Sequence, residues 1–154
     1  MNYLIGGTFA TFIGTNLLSH VIEGTLGILY TSATFIKNGN NSNYVIKKIQ
    51  NKIEEMDITI KLELVKTLKQ TLPDNEINKI LENGLIDLIT KIKSTIEWID
   101  YEIERHNRKW FSSYRILNID NQIEDLEHLI IILDNRIKLL LSVKNNYSCN
   151  KFIS

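Results

Sequence analysis

Near the C-terminal end, Ile119, Ile123, Leu126, Ile130, Leu133, Ile137 and Leu140 recur at alternating spacings of four and three. An α-helix turns once in about 3.6 residues, so such spacing keeps every one of these side chains on one stripe. A strand would scatter them over both faces. Lys144 and Tyr147 continue the count. The stripe predicts an amphipathic helix over 119–146 that packs against other helices. Asn118 or Asp120 is expected as its N-cap, with Glu124 and Asp125 near the first turn, where negative charge suits the helix dipole.

A second seam reads Ile46, Ile49, Ile53, Met56 and Ile60, then drifts onto Leu64, Leu68 and Leu72. The polar run KNGNNSN precedes it, Ser42 is the expected cap, and Pro73, the only proline, ends it. A third seam follows through Ile77, Leu81, Leu85, Leu88, Ile92, Ile96, Ile99 and Ile103, with Asp74 as its expected cap. Gly84 interrupts that seam and suggests close approach of a neighbour. NRKWFSSYRILN, residues 107–118, keeps no period and reads as a helix end plus a connection.

With helices expected at about 2–36, 42–72, 74–110 and 119–146, short links force successive segments to run antiparallel. The predicted fold is all-α, an antiparallel up-down four-helix bundle with long helices and an apolar, glycine-rich first helix. It forms one domain over 1–147, followed by a short tail at 148–154. The 154-residue length suits one core and not two. Alanine occurs only at Ala10 and Ala33 while isoleucine, asparagine and lysine abound, the signature of AT-rich coding. Isoleucine is a poorer helix former than alanine or leucine, so packing must hold these helices.

Charge excludes some functions. The 18 basic residues balance 18 acidic ones, which removes the attraction that drives nonspecific nucleic-acid binding; no nucleic-acid partner is expected. A single cysteine, Cys149, cannot form an internal disulfide and reads as a free thiol in a reducing compartment. The expected location is cytoplasmic, with membrane association open.

The opening MNYLIGGTFATFIGTNLLSHVIEG carries no formal charge before Glu23. It lacks the basic start of a signal peptide, and Asn2 excludes N-myristoylation. Its length would span a bilayer, yet Gly6, Gly7, Thr8, Thr11, Gly14, Thr15, Asn16, Ser19 and His20 dilute its hydrophobicity. Gly7, Thr11, Thr15 and Ser19 repeat four apart as a small-residue stripe, beside a larger one of Phe9, Ile13, Leu17 and Val21. A smooth stripe lets another backbone approach closely, in a bundle or in lipid. Three readings stay open: a bundle helix, which is preferred, a membrane-inserting segment, and a cleaved signal. The expected membrane or partner interface comprises Gly6, Gly7, Phe9, Thr11, Phe12, Gly14, Thr15, Leu17 and Ser19.

Two His/carboxylate pairs, His20 with Glu23 and Asp125 with His128, have the i,i+3 spacing of ferritin-like ligands. The last seam places Asp125 and His128 outside, and Glu63 and Glu102 are poor complements to His20 and Glu23. No metal site or cofactor is expected. The run RHNRKWF mixes cations with aromatics. It suits the cationic end of a helix, with Trp110 as an anchor, or a set of anionic headgroup contacts from Arg105, Arg108, Lys109 and Trp110. Glu97, Asp100, Glu102 and Glu104 read as a solvated face. With no phosphate loop, CxxC pair or nucleophile elbow, no catalytic residue and no small-molecule substrate is expected.

YLIGGTFATFIGTNLL at the start, IKLELVKTLKQTL in the second helix, and KWFSSY leading to LEHLIIILDNRIKLLL together carry a family resemblance. Over residues 1–146 the chain resembles the HeLo-type four-helix domain of fungal cell-death proteins. It is similar also to the N-terminal bundle of mixed-lineage kinase-like necroptosis effectors. The resemblance implies self-association and membrane engagement, with Gly6, Gly7 and Gly14 in the inserting helix and Arg105, Arg108 and Lys109 toward headgroups. Those domains are normally followed by a regulatory or amyloid segment, and this sequence stops at Ser154. The expected function is a non-enzymatic, self-associating bundle, an effector or a decoy, that engages membranes through its first helix. The alternative is a structural or assembly component, for example of a large virus with an AT-rich genome, docking its first helix into a neighbouring subunit. A ferritin-like metal-binding bundle is the remote third.

Overall fold

A computed structural model describes residues 6–32, 44–108 and 117–151. Its helices are α1 (Gly6–Thr31), α2 (Tyr44–Glu55), α3 (Ile58–Thr71), α4 (Glu76–Asn107) and α5 (Asp120–Lys151). Among the described residues there is no strand, and the fold is all-α. One apolar cluster joins them, drawing Ile46, Ile49 and Ile53 from α2, Leu62 and Val65 from α3, and the seams of α4 and α5.

The helix expected over 42–72 is two helices. Asp57 sits between them in the left-handed region, at φ 51 and ψ 34. The end of α2 tightens first, with the Met56 amide donating to the Ile53 carbonyl at 3.3 Å and the Asp57 amide to the Glu54 carbonyl at 3.1 Å. α3 then starts as the Lys61 amide donates to the Asp57 carbonyl at 3.0 Å. The break rephases the seam. An unbroken helix would turn Ile60 and Leu64 inward after Met56; instead Ile58, Leu62 and Val65 are buried and Ile60 and Leu64 face out. Aspartate tolerates this conformation better than most residues, at a cost glycine escapes. Asp57→Gly is expected to stabilise the fold by about 0.5–1 kcal/mol, raising the thermal midpoint by roughly 2–4 °C in a calorimetric scan.

Other boundaries shift for local reasons. Asn75, not Asp74, caps α4, its side-chain oxygen accepting from the Asn78 amide at 2.9 Å. Asn78 therefore turns inward, donating through Nδ2 to the Pro73 carbonyl at 2.6 Å, while Ile77, expected in the seam, is 63% exposed. α4 ends at Asn107, short of 110, and Ile89 joins its buried set. In α5 the cap position belongs to buried Ile119, whose carbonyl accepts from the Ile123 amide at 3.1 Å; Asp120 lies in the first turn. The helix continues to Lys151, past 146. Ser42 and residues 109–116 of the connection lie outside the described residues.

The principal packings are α1 with α4, α4 with α5, α3 with α5, and α1 with α3. α4 and α5 run in opposite directions, since Gly84 meets Arg136 and Asn75 meets Tyr147. A Cβ on Gly84 would lie 3.3 Å from Arg136 Nη1, so the seam's glycine makes room for a guanidinium of the facing helix. α1 and α4 run in the same direction, with Gly24 beside Lys93 and Ser32 bonded to Asp100. The α2–α3 pair runs in the same direction as α5, bridged by Lys52–Glu127 at 2.8 Å and Lys61–Asp134 at 3.0 Å. The hydrogen bond that Lys52 donates to the Glu127 carboxylate holds its pKa above the usual value. α3 and α4, joined through Pro73, thus stand across the core from one another, and each shares its long flanks with α1 and α5.

Candidate interaction surface

The described side chains of α1 begin at Leu17. From Leu18 onward the helix belongs to the core: Leu18, Ile22, Thr25 and Leu26 are buried, with Val21, Ile28 and Leu29 packed against the cluster. Thr25 satisfies its hydroxyl on its own helix, donating to the Val21 carbonyl at 2.7 Å. Ser32, just past the helix, donates to Asp100 of α4. Leu17 is partly exposed and Ser19 is half-buried. The remaining interface residues, Gly6, Gly7, Phe9, Thr11, Phe12, Gly14 and Thr15, lie on the α1 backbone with side chains outside the described residues. Gly27, in register with the small-residue stripe, faces open space. Among the described residues no helix is long and apolar enough to cross a membrane.

The cationic cluster at the end of α4 is already paired in its described part. Arg105 bonds Glu102, whose side chain is mostly buried, and Arg108 reaches Glu104 at 2.9 Å. Lys109 and Trp110 lie outside the described residues. The carboxylates expected to form a solvated face are thus engaged: Asp100 takes the Ser32 hydroxyl, Glu102 and Glu104 take arginines, and Glu97 faces Lys93 at 3.8 Å. Such exposed pairs contribute little to stability, about 0–1 kcal/mol each, but they neutralise the arginines toward an incoming anion.

Sequence reasoning missed two aromatics here. Trp98 and Tyr101 are exposed on the outer face of α4, one turn apart and one turn before Arg105. Both fall between buried positions of the third seam, and that outward register was the available signal. Tyr101 also lines an acidic groove of about 450 Å³ with Ile28, Thr31, Glu97, Asp100 and Glu104.

The histidine pairs do not form ligand sets. His20 is exposed, and Glu23 receives Lys66 at 3.2 Å. Asp125 and His128 lie on the outside of α5, along an open groove shared with Thr90, Lys91 and Ser94. Among the described residues no three His, Cys, Asp or Glu side chains converge on one point as metal ligands would. Hydroxyls elsewhere are spent locally: Thr67, Thr90, Thr95 and Ser142 each donate to the carbonyl four residues back.

No family model matches the sequence, and no solved structure matches it. An uncharacterized protein of Acanthamoeba polyphaga mimivirus is 32% identical over 103 residues, covering 67% of this chain and 49% of that relative. The chain spans about half the length of the curated relative it matches.

Proposed function

We propose that the chain is a non-enzymatic, up-down four-helix module that self-associates and engages membranes through the N-terminal half of its first helix. This is the activity that the HeLo resemblance implies. The observation that carries the reading is the anchoring of α1 from Leu18 onward, behind an uncharged opening. Leu18, Ile22 and Leu26 anchor its second half in the core, and the sequence ahead of them is uncharged and rich in glycine and threonine. A helix built in this way can offer its first turns to another surface while its last turns keep the bundle closed. Exposed Trp98 and Tyr101 on α4 supply amphipathic rings suited to a lipid interface.

Flotation with vesicles of phosphatidylserine and phosphatidylcholine tests it. The intact chain is expected to rise with the vesicles, and a chain lacking residues 1–16 to stay behind. An intact chain that remains at the bottom of the gradient refutes membrane engagement.

The similarity to a mimivirus protein favours a second reading, an assembly component whose first helix docks in a neighbouring subunit. It calls for a stable stoichiometric complex, seen by light scattering after size exclusion, and no vesicle binding.

A further inference from the structure

The break at Asp57 stands between two phases of one seam. In the folded chain the buried set passes from Ile46, Ile49 and Ile53 of α2 to Ile58, Leu62 and Val65 of α3, and leaves Ile60 67% and Leu64 39% exposed. Both helices run in the same direction along α5, tied to it by Lys52–Glu127 and Lys61–Asp134, and a single left-handed residue interrupts them. The Asp57 side chain makes no capping hydrogen bond that would offset this conformation. A groove of about 320 Å³ borders the joint between Leu29, Ile53, Asp57 and Ile60, so the packing there is open. A residue other than glycine held in the left-handed region is strained, and such strain gathers at segments that switch.

Helix geometry dictates the second arrangement. With helical dihedrals at Asp57, α2 and α3 become one helix from Tyr44 to Thr71. At 3.6 residues per turn, Ile46, Ile49, Ile53, Met56, Ile60 and Leu64 then share one stripe, about 150° round the helix from Ile58, Leu62 and Val65. One of the two sets must leave the core. α3 is the better held, because Lys61, Lys66 and Lys69 pair with Asp134 of α5, Glu23 of α1 and Glu82 of α4. Among the described residues α3 also packs closely on α5 and α1, and α2 forms none of the principal packings. α2 is therefore the part that swings.

The stripe it uncovers needs a cover, and the spacing names one. Ile46, Ile49, Ile53, Met56 and Ile60 alternate by three and four, the a and d positions at which a helix meets a copy of itself. In a parallel pair, position g of one helix faces position e of the other, five residues on. Lys52 and Asp57 hold those positions and carry opposite charges.

We propose that Asp57 is a two-state joint, and that in its helical state the joined α2–α3 helix pairs in parallel with that of a second copy through the Ile46–Leu64 stripe. The swing takes Lys52 from Glu127 and gives it Asp57 of the second copy, so one cation serves both states. This rests on the self-association in the proposed function and supplies its surface; membrane engagement is separate from it.

Cross-linking in the full chain with Cys149→Ser tests it. Asp57→Glu keeps the charge, favours the helix and tolerates the left-handed region poorly, whereas Asp57→Gly favours the break. Ile49→Cys, buried in the single chain, is expected to form a disulfide between copies under mild oxidation. Its rate is expected to be roughly tenfold higher with Asp57→Glu than with Asp57→Gly. Leu62→Cys, which faces the core in both states, is expected to cross-link little in either. Equal rates with Glu and Gly overturn the proposal. So does Leu62→Cys linking as fast as Ile49→Cys, which would mean general loosening. Light scattering after size exclusion, with Cys149→Ser and Asp57→Glu alone, is expected to shift toward twice the single-chain mass. A doubled mass without the Ile49→Cys link overturns the joint and leaves self-association through another surface. A single-chain mass throughout overturns self-association as well.

Discussion

Leu62→Ala is expected to destabilise the protein by about 2–5 kcal/mol, and Leu64→Ala by less than about 1 kcal/mol. The side chains are chemically identical and two residues apart; the difference lies in Leu62 being fully buried and Leu64 39% exposed. Removing the first leaves a cavity among Ile58, Val65 and the facing seams, while the second borders solvent. The periodicity taken without a break at Asp57 predicts the reverse order. Urea unfolding followed by circular dichroism distinguishes them, because a fall in midpoint at constant slope reports stability alone. A larger loss at Leu64 would show that α2 and α3 form one uninterrupted helix in solution.

The second large effect is in α1. Ile22 is fully buried, and Ile22→Asp places a carboxylate in the apolar cluster that holds Leu18, Leu26 and the α4 seam. A buried unpaired charge costs more than about 4 kcal/mol, enough to unfold a domain of ordinary stability. Loss of cooperative unfolding and of most helical circular dichroism is expected. Removal of residues 1–16, by contrast, should leave a cooperative transition lowered by a few degrees. If Ile22→Asp behaves like the native chain, the second half of α1 is not a core element.

Much of the fold was written in isoleucine and leucine spacing. The α5 seam from Ile119 to Leu140 is buried throughout, as is the α4 seam from Leu85 to Ile103. Both are long, nearly unbroken, and free of residues that compete with the helix. The second seam misled because Met56-Asp57-Ile58 offers two phases, and only tertiary packing chooses between Ile58 and Ile60. Caps misled for a related reason. Asp74 and Asn75 are both good caps, and the choice fell to the residue whose neighbour Asn78 could reach Pro73. Which helices share a flank was not legible either. Short links constrain the direction of successive segments, but lysines 52, 61, 66 and 69 choose carboxylates on α5, α1 and α4, and a list of charges does not reveal such pairings. At the candidate surface, the unusual composition of the opening was visible at once. The exposure of Trp98 and Tyr101 follows only from their outward register between buried Ile96, Ile99 and Ile103.

The pairing of α1 with α4 has a consequence for biosynthesis. Ser32 and Asp100 are separated by 68 residues, so the first helix leaves the ribosome well before its chief companion exists. At translation rates of about 5–20 residues per second, that interval lasts on the order of several seconds. During it, an uncharged, glycine-rich opening has no finished bundle to join. Whatever first meets the nascent chain, a chaperone, a bilayer or a sister copy, competes for that segment before the molecule can claim it.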